Sequence, residues 1–190
     1  MALRLLLIDL ECTCCDMQSI PRESMEMIEI GAVVGELSES QFKTIDICQL
    51  YIQPEDYPQL TAFCTELTGI SQLQVDAAEK LPAVLLEFAK WLDEVRPQAW
   101  GSWGKFDLRH FTFEVESKRL ENPLINLQHF NIKQLFSRIH KHRVGLARAV
   151  MMSKLEFVGR HHSGVDDARN IANILAHDLK LRQAVLKRAV

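Results

Sequence analysis

A chain of 190 residues with 47% hydrophobic and 25% charged side chains is the size and make-up of one ordinary globular domain, expected to span 1–190, and no low-complexity tract or internal repeat points to another class. A formal charge of −3 argues against a protein that coats nucleic acid without specificity, and five cysteines, odd in number and without ladder spacing, fit a reducing compartment. Four apolar residues between Arg4 and Asp9 are too few for a secretory leader or a membrane span, so the expected setting is cytoplasmic.

Leu5, Leu6, Leu7 and Ile8 form an unbroken apolar run that predicts a strand buried on both faces. Side chains alternate along a strand, so Asp9 and Glu11 at its end share one side, about 6.5 to 7 Å apart along the backbone. Carboxylates held that close repel, and a hard divalent cation such as Mg²⁺ relieves the repulsion; the plainer alternative is an acidic pair on a solvated strand edge. Residues 12–25, with Pro21, predict a surface loop. Met27 to Val34 and Ile45 to Ile52 predict two further strands, and Gln59 to Gly69 a short helix stopped by glycine. A longer helix starts near Pro82 with Val84, Leu85, Phe88, Leu92 and Val95 on its apolar face.

Gln98 to Trp103 predicts a fourth strand, followed by Asp107 on the loop or first turn of a helix that carries Phe111 and Val115 and ends by Pro123. A fifth strand around Leu127 to Asn131 leads into further helices, broken at Gly145, with Leu146, Ala149, Val150 and Met151 buried. A last helix runs from about Val165 into the 180s, capped by Ser163 with Asp166 three residues on. Helical spacing puts Asp167 on a stripe with Ile171 and Ile174, toward the sheet, and Asp166 with Asn170 and Asn173, toward water. The expected fold class is α/β, a mixed five-stranded sheet flanked by helices.

Asp9, Glu11, Asp107 and Asp167 lie on separate elements that could converge at one end of that sheet, with His162 on the loop before the last helix. Carboxylate oxygens of this kind suit two metal ions and a water set for attack on a phosphodiester, and a histidine of near-neutral pKa suits the proton transfer. Between Lys133 and Arg160 seven basic residues stand against one acid, a local charge of +6 that is either a phosphate-tracking face, involving Arg143 and Arg160, or a set of solvated helix faces. Cys12, Cys14 and Cys15 have no partner cluster at zinc spacing. Cys48, Cys64, Trp91 and Trp100 are expected in the core, and His140 and His142 at the surface.

The stretches Ile8 to Cys14, Ile28 to Val33, Leu60 to Ile70, Ser102 to Asp107 and His162 to Ala168 resemble, in order, the DEDDh group of 3′-to-5′ exonucleases on the ribonuclease H-like fold, and within it the Eri-type branch that includes the exonuclease of histone mRNA 3′ ends. The resemblance implies hydrolysis of single-stranded RNA or DNA from the 3′ end. It implies two Mg²⁺, replaceable by Mn²⁺, with Asp9 bridging, Glu11 and Asp167 completing one site and Asp107 supporting the other. His162 would be the general base, although His161 and Asp166 repeat the same spacing. The backbone at Cys12 and Thr13, and the ring of Phe106, would lie against the terminal nucleotide. The accessory nucleic-acid-binding domain of the histone-mRNA members has no counterpart in this length, so their stem-loop specificity is not implied. A DNA-directed exonuclease and a protein-docking module on the same fold remain the alternative readings.

Overall fold

Five strands form one mixed sheet in the order β3-β2-β1-β4-β5 in the computed structural model, which describes residues 2–16 and 20–189. The strands β1 (Leu3–Cys12), β2 (Met27–Leu37) and β3 (Phe42–Tyr51) make an antiparallel meander. Beyond β1, β4 (Ala99–Ser102) and β5 (Gln128–Asn131) continue the sheet in parallel. The central strand is apolar on both sides because both are covered. Leu5 and Leu7 pack with Val33, Phe130, Ile171 and Ile174 on one face. Leu6, Ile8 and Leu10 pack with Phe88, Trp100 and Phe111 on the other.

The first face is covered by α5 (Ile132–His140), α6 (Leu146–Met152), α7 (Gly164–His177) and α8 (Leu179–Leu186), the second by α3 (Leu81–Val95) and α4 (Phe106–Ser117). The expected sheet with flanking helices is what the chain forms. Pro82 sits in the first turn of α3, where a missing N–H is harmless, and the five apolar residues assigned to its inner face are all buried. The helix α1 (Ala62–Thr68) is shorter than the predicted 59–69: Thr61 caps it through Cys64 N, and Gly69 at φ 76° ends it. The short α2 (Gln72–Asp76), opened by a Ser71/Gln74 capping box, was not anticipated. Among the described residues no helix is long and apolar enough to cross a membrane.

Four local expectations are corrected. Of the loop predicted over 12–25, residue 12 still belongs to β1, Arg22–Ser24 form a 3₁₀ turn, and 17–19 lie outside the described residues. The final helix is two helices, because Asp178 leaves helical geometry and accepts a hydrogen bond from Leu181 N, so it caps α8. Met151 is 64% exposed, since α6 turns only Leu146, Ala149 and Val150 inward. Ser163 makes no capping hydrogen bond; the first amides of α7, Gly164 N and Val165 N, donate instead to the Glu29 carboxylate of β2 at 3.0 and 3.1 Å.

That substitution of caps follows from how closely α7 lies on the sheet. A Cβ on Gly31 would stand 1.9 Å from the Gly164 carbonyl carbon and 2.0 Å from Val165 N, so main chain rests on main chain there. Overpacking that backbone cannot relieve costs about 3 kcal/mol or more, so Gly31→Ala is expected to lower Tm by about 6–12 °C in a thermal melt. Gly145→Ala, where a new methyl meets nothing within 4 Å, should shift it little; a matching loss there would show that the contact at Gly31 is not the cause.

Candidate active site

The end of β1 and the start of α7 build the acidic cluster. Asp9 pairs in register with Gly31, and Glu11 with Glu29, so the glycine admits α7 beside Asp9. Asp9, Glu11 and Asp167 each offer a carboxylate oxygen, all within 4.8 Å of one another. Asp107 is buried in the first turn of α4 and lies outside that three-acid group; its Oδ1 accepts from Leu10 N at 3.2 Å.

Burial and mutual repulsion hold these acids toward protonation. Burial is the main cause of the raised Asp9 pKa, followed by the charges of Asp107, Asp167, Glu11 and Glu29. Burial likewise pushes Glu11 up to about 9, with Glu29 the largest contributing charge. Asp167 is raised to about 7 by burial, against the opposing His162 backbone N–H and with added repulsion from Asp166. Asp107 is raised by burial and partly relieved by hydrogen bonds, including those from Leu10 N–H and Ser102.

Divalent cations fit this donor set on two observations. Among the described residues no lysine or arginine forms an ion pair with any of the four acids, and Asp167 Oδ1 is buried without a hydrogen-bond partner. Hard oxygen donors in excess negative charge select Mg²⁺ or Mn²⁺ over softer metals. No cysteine joins a group at metal-ligand spacing among the described residues, so the zinc alternative finds no cluster.

Both neighbouring histidines stand at this end of α7. His161 Nε2 is 4.0 Å from Asp167 Oδ2, and its ring packs edge-on against Phe157 at 5.4 Å. His162 is half-buried at φ 64°, its ring centroid 3.9 Å from that of His161. Both rings join Asp167 in a second group with ligand-like spacing, and burial lowers the pKa of each.

Cys12 and Thr13 are buried. The Thr13 N–H donates to Glu26 O (2.8 Å) and Glu26 N–H to Thr13 Oγ1 (2.9 Å), so these two groups of Thr13 hold the chain after β1. Phe106 is exposed and stacks on His110. Asp166 does not simply face water: it accepts from Arg160 N and from the Arg169 guanidinium, and its stripe-mate Asn170 is buried and bonded to Val158. The Arg160 guanidinium donates to Glu66 O, whereas Lys141, His142 and Arg143 of the basic segment are exposed beside Val144, whose carbonyl accepts from Trp103 Nε1 at 3.3 Å.

Glu29 is the residue that sequence reasoning left without a role. It is buried, faces Glu11 across the strands, caps α7 and also accepts from Gln49 Nε2 at 2.9 Å. An acid inside the apolar run Met27 to Val34, two residues before a glycine, was the signal available.

Residues 6–175 match the Exonuclease family model. ERI1 exoribonuclease 2 of Homo sapiens is 32% identical over 190 aligned residues, covering 88% of this chain and 27% of that protein. The 3′-5′ exoribonuclease 1 of Mus musculus is 32% identical over 184 residues, covering 92% of this chain and 52% of the other. The chain thus spans between 27% and 52% of the length of these curated relatives. The solved nuclease domain of 3′hExo, a DEDDh family member bound to rAMP, is 29% identical with a TM-score of 0.79 over 90% of this chain and 88% of that one. A 3′-exonuclease described as recognising the histone mRNA stem-loop at its 3′ end is 27% identical with a TM-score of 0.83, over 93% and 63%.

Proposed function

The chain belongs to the Exonuclease family and carries the ribonuclease H-like fold of its DEDDh neighbours, and from that premise we propose that residues 1–190 form a single exonuclease domain that shortens single-stranded RNA from the 3′ end. The observation that carries this reading is the meeting of Asp9, Glu11 and Asp167 within 4.8 Å, with Asp107 close enough to perturb Asp9 and, among the described residues, no lysine or arginine paired with them. Asp9, Glu11 and Asp167 would hold one Mg²⁺ or Mn²⁺, and Asp9 with Asp107 a second. Such ions, when bound, neutralise phosphodiester charge and make a water more acidic.

The chain's own groups account for the remaining work. A ring nitrogen of His162, kept neutral by burial, takes the proton from the attacking water. The P–O3′ bond breaks, leaving a 3′-hydroxyl on the shortened strand and releasing a nucleoside 5′-monophosphate. Phe106, exposed beside Asp107, offers its ring to the terminal base or ribose without base preference.

A time course on 5′-labelled RNA and DNA of one sequence, with Mg²⁺, Mn²⁺ or chelator, tests this. The expected result is a metal-dependent ladder receding from the 3′ end, faster on RNA and absent in Asp9→Ala. His162→Asn, which tolerates the positive φ, should slow it about 10²- to 10⁴-fold. No cleavage of either strand by protein shown to bind metal would overturn the reading in favour of a docking module.

A further inference from the structure

The outward face of α4 carries features that the acidic cluster does not use. Phe106 and Phe113 are 39% and 49% exposed, and seven residues apart they lie on one side of the helix, about 10 Å from each other along its axis. Exposed Arg109 stands between them, Lys105 precedes them, and Arg22 reaches them from the 3₁₀ turn ahead of β2. With Glu23 these residues line a cleft of about 550 Å³ in which three cations face one acid.

His110 also lines this cleft while only 6% exposed. Its ring lies flat on Phe106, with centroids 5.3 Å apart and planes 7° from parallel. Its Nε2 makes no hydrogen bond, although Glu114 Oε2, which accepts from Met27 N, is 3.3 Å away. Held against Glu114 and buried beneath Phe106, the His110 ring braces the aromatic shelf from below.

A solvated helix face would have no use for two exposed phenylalanines, and an apolar protein-docking face would not interleave them with cations. Stacking rings alternating with positive charge are what a single nucleic-acid strand needs, the rings for any base and the cations for its phosphates. The cleft borders the acidic site, because its lining residue Phe106 is followed directly by Asp107 in the first turn of α4. We propose that this cleft is a subsite for the second to fourth nucleotides from the 3′ end, with Phe113 stacking a base and Lys105, Arg109 and Arg22 following the backbone. At about 3.4 Å per stacked nucleotide, the 10 Å between the two rings matches about three nucleotides.

The inference rests on the exonuclease reading, and substrates of graded length separate the two. The p-nitrophenyl ester of thymidine 5′-monophosphate has no upstream nucleotides and reads only the residues around Asp9. Oligoadenylates of two, four and eight residues extend progressively into the cleft. In the unaltered protein KM should fall from the dimer to the tetramer and then level. In Phe113→Ala the ratio of tetramer KM to ester KM should rise about tenfold, the loss of one stacked base. Arg109→Gln should reduce the salt dependence of tetramer KM by about one phosphate contact. Ester and tetramer KM that do not respond to length, to Phe113→Ala or to Arg109→Gln would overturn the subsite while leaving the exonuclease standing, and would point to a protein partner for these rings. Failure to hydrolyse either the ester or the oligomers would instead overturn the exonuclease reading, and the subsite with it.

Discussion

Asp167→Asn is expected to lower removal of 3′ nucleotides by at least about 10²-fold, because even residues one shell behind a metal cost 10- to 100-fold when lost and Asp167 is placed in the cluster itself. Asp166→Asn should retain most of the activity. Asp166 spends its carboxylate on the Arg160 N–H at 2.9 Å and the Arg169 guanidinium at 2.8 Å, so an amide there loosens the turn before α7 without removing an oxygen from the cluster. Initial rates on 5′-labelled RNA at saturating Mg²⁺, beside calorimetric titration of Mg²⁺, distinguish the two. Equal losses would mean that the pair acts through the shape of the α7 entrance.

Metal-free protein should lose thermal stability as pH rises from about 5 to 9. Glu11 at about 9, Asp167 at about 7 and Asp9 raised above its usual range all bind protons more tightly folded than unfolded. Their contribution is fully present below the unfolded carboxylate range and is lost as pH climbs through the folded values, because the folded state then gives up protons it held preferentially. With a few kcal/mol at stake, the midpoint should fall by about 10 °C, since each kcal/mol moves Tm about 2–4 °C in a chain of this size. Added Mg²⁺ should restore it more strongly at pH 8 than at pH 5, and Glu11→Gln should flatten the profile without metal. A metal-free melting profile that rises over this interval would contradict the placement of these carboxylates.

What could be read in advance followed the distance over which each residue's environment is set. Asp9 and Glu11 share a side because strands alternate, and Asp167 turns inward because helices repeat every 3.6 residues; both periods operate within a few residues. Glu29 has no such local signature. Its neighbours Glu11 and the α7 amides lie 18 and 135 residues away in sequence, so only strand register and the seat of α7 reveal it. Asn170 looked solvated on its helical stripe but is covered by the chain at Val158, which crosses from outside the helix. The break at Asp178 was readable in principle, as an acid that prefers capping, yet the apolar rhythm running through Leu175, Leu179 and Leu181 masks it. Thr13 shows the same limit, since its hydroxyl accepts from Glu26 N, 13 residues on in sequence.

The seating of α7 on Gly31 also bears on which ions can be accepted. Main chain rests on main chain there, with the Glu29 carboxylate bridging beside it, so the backbones that carry Asp9 and Asp167 are held close together. Such spacing would suit the short oxygen contacts of Mg²⁺, about 2.0–2.1 Å, better than the longer ones of Ca²⁺, about 2.3–2.6 Å. A side chain at Gly31 or Gly164 would part helix from sheet and spread the two carboxylates with them.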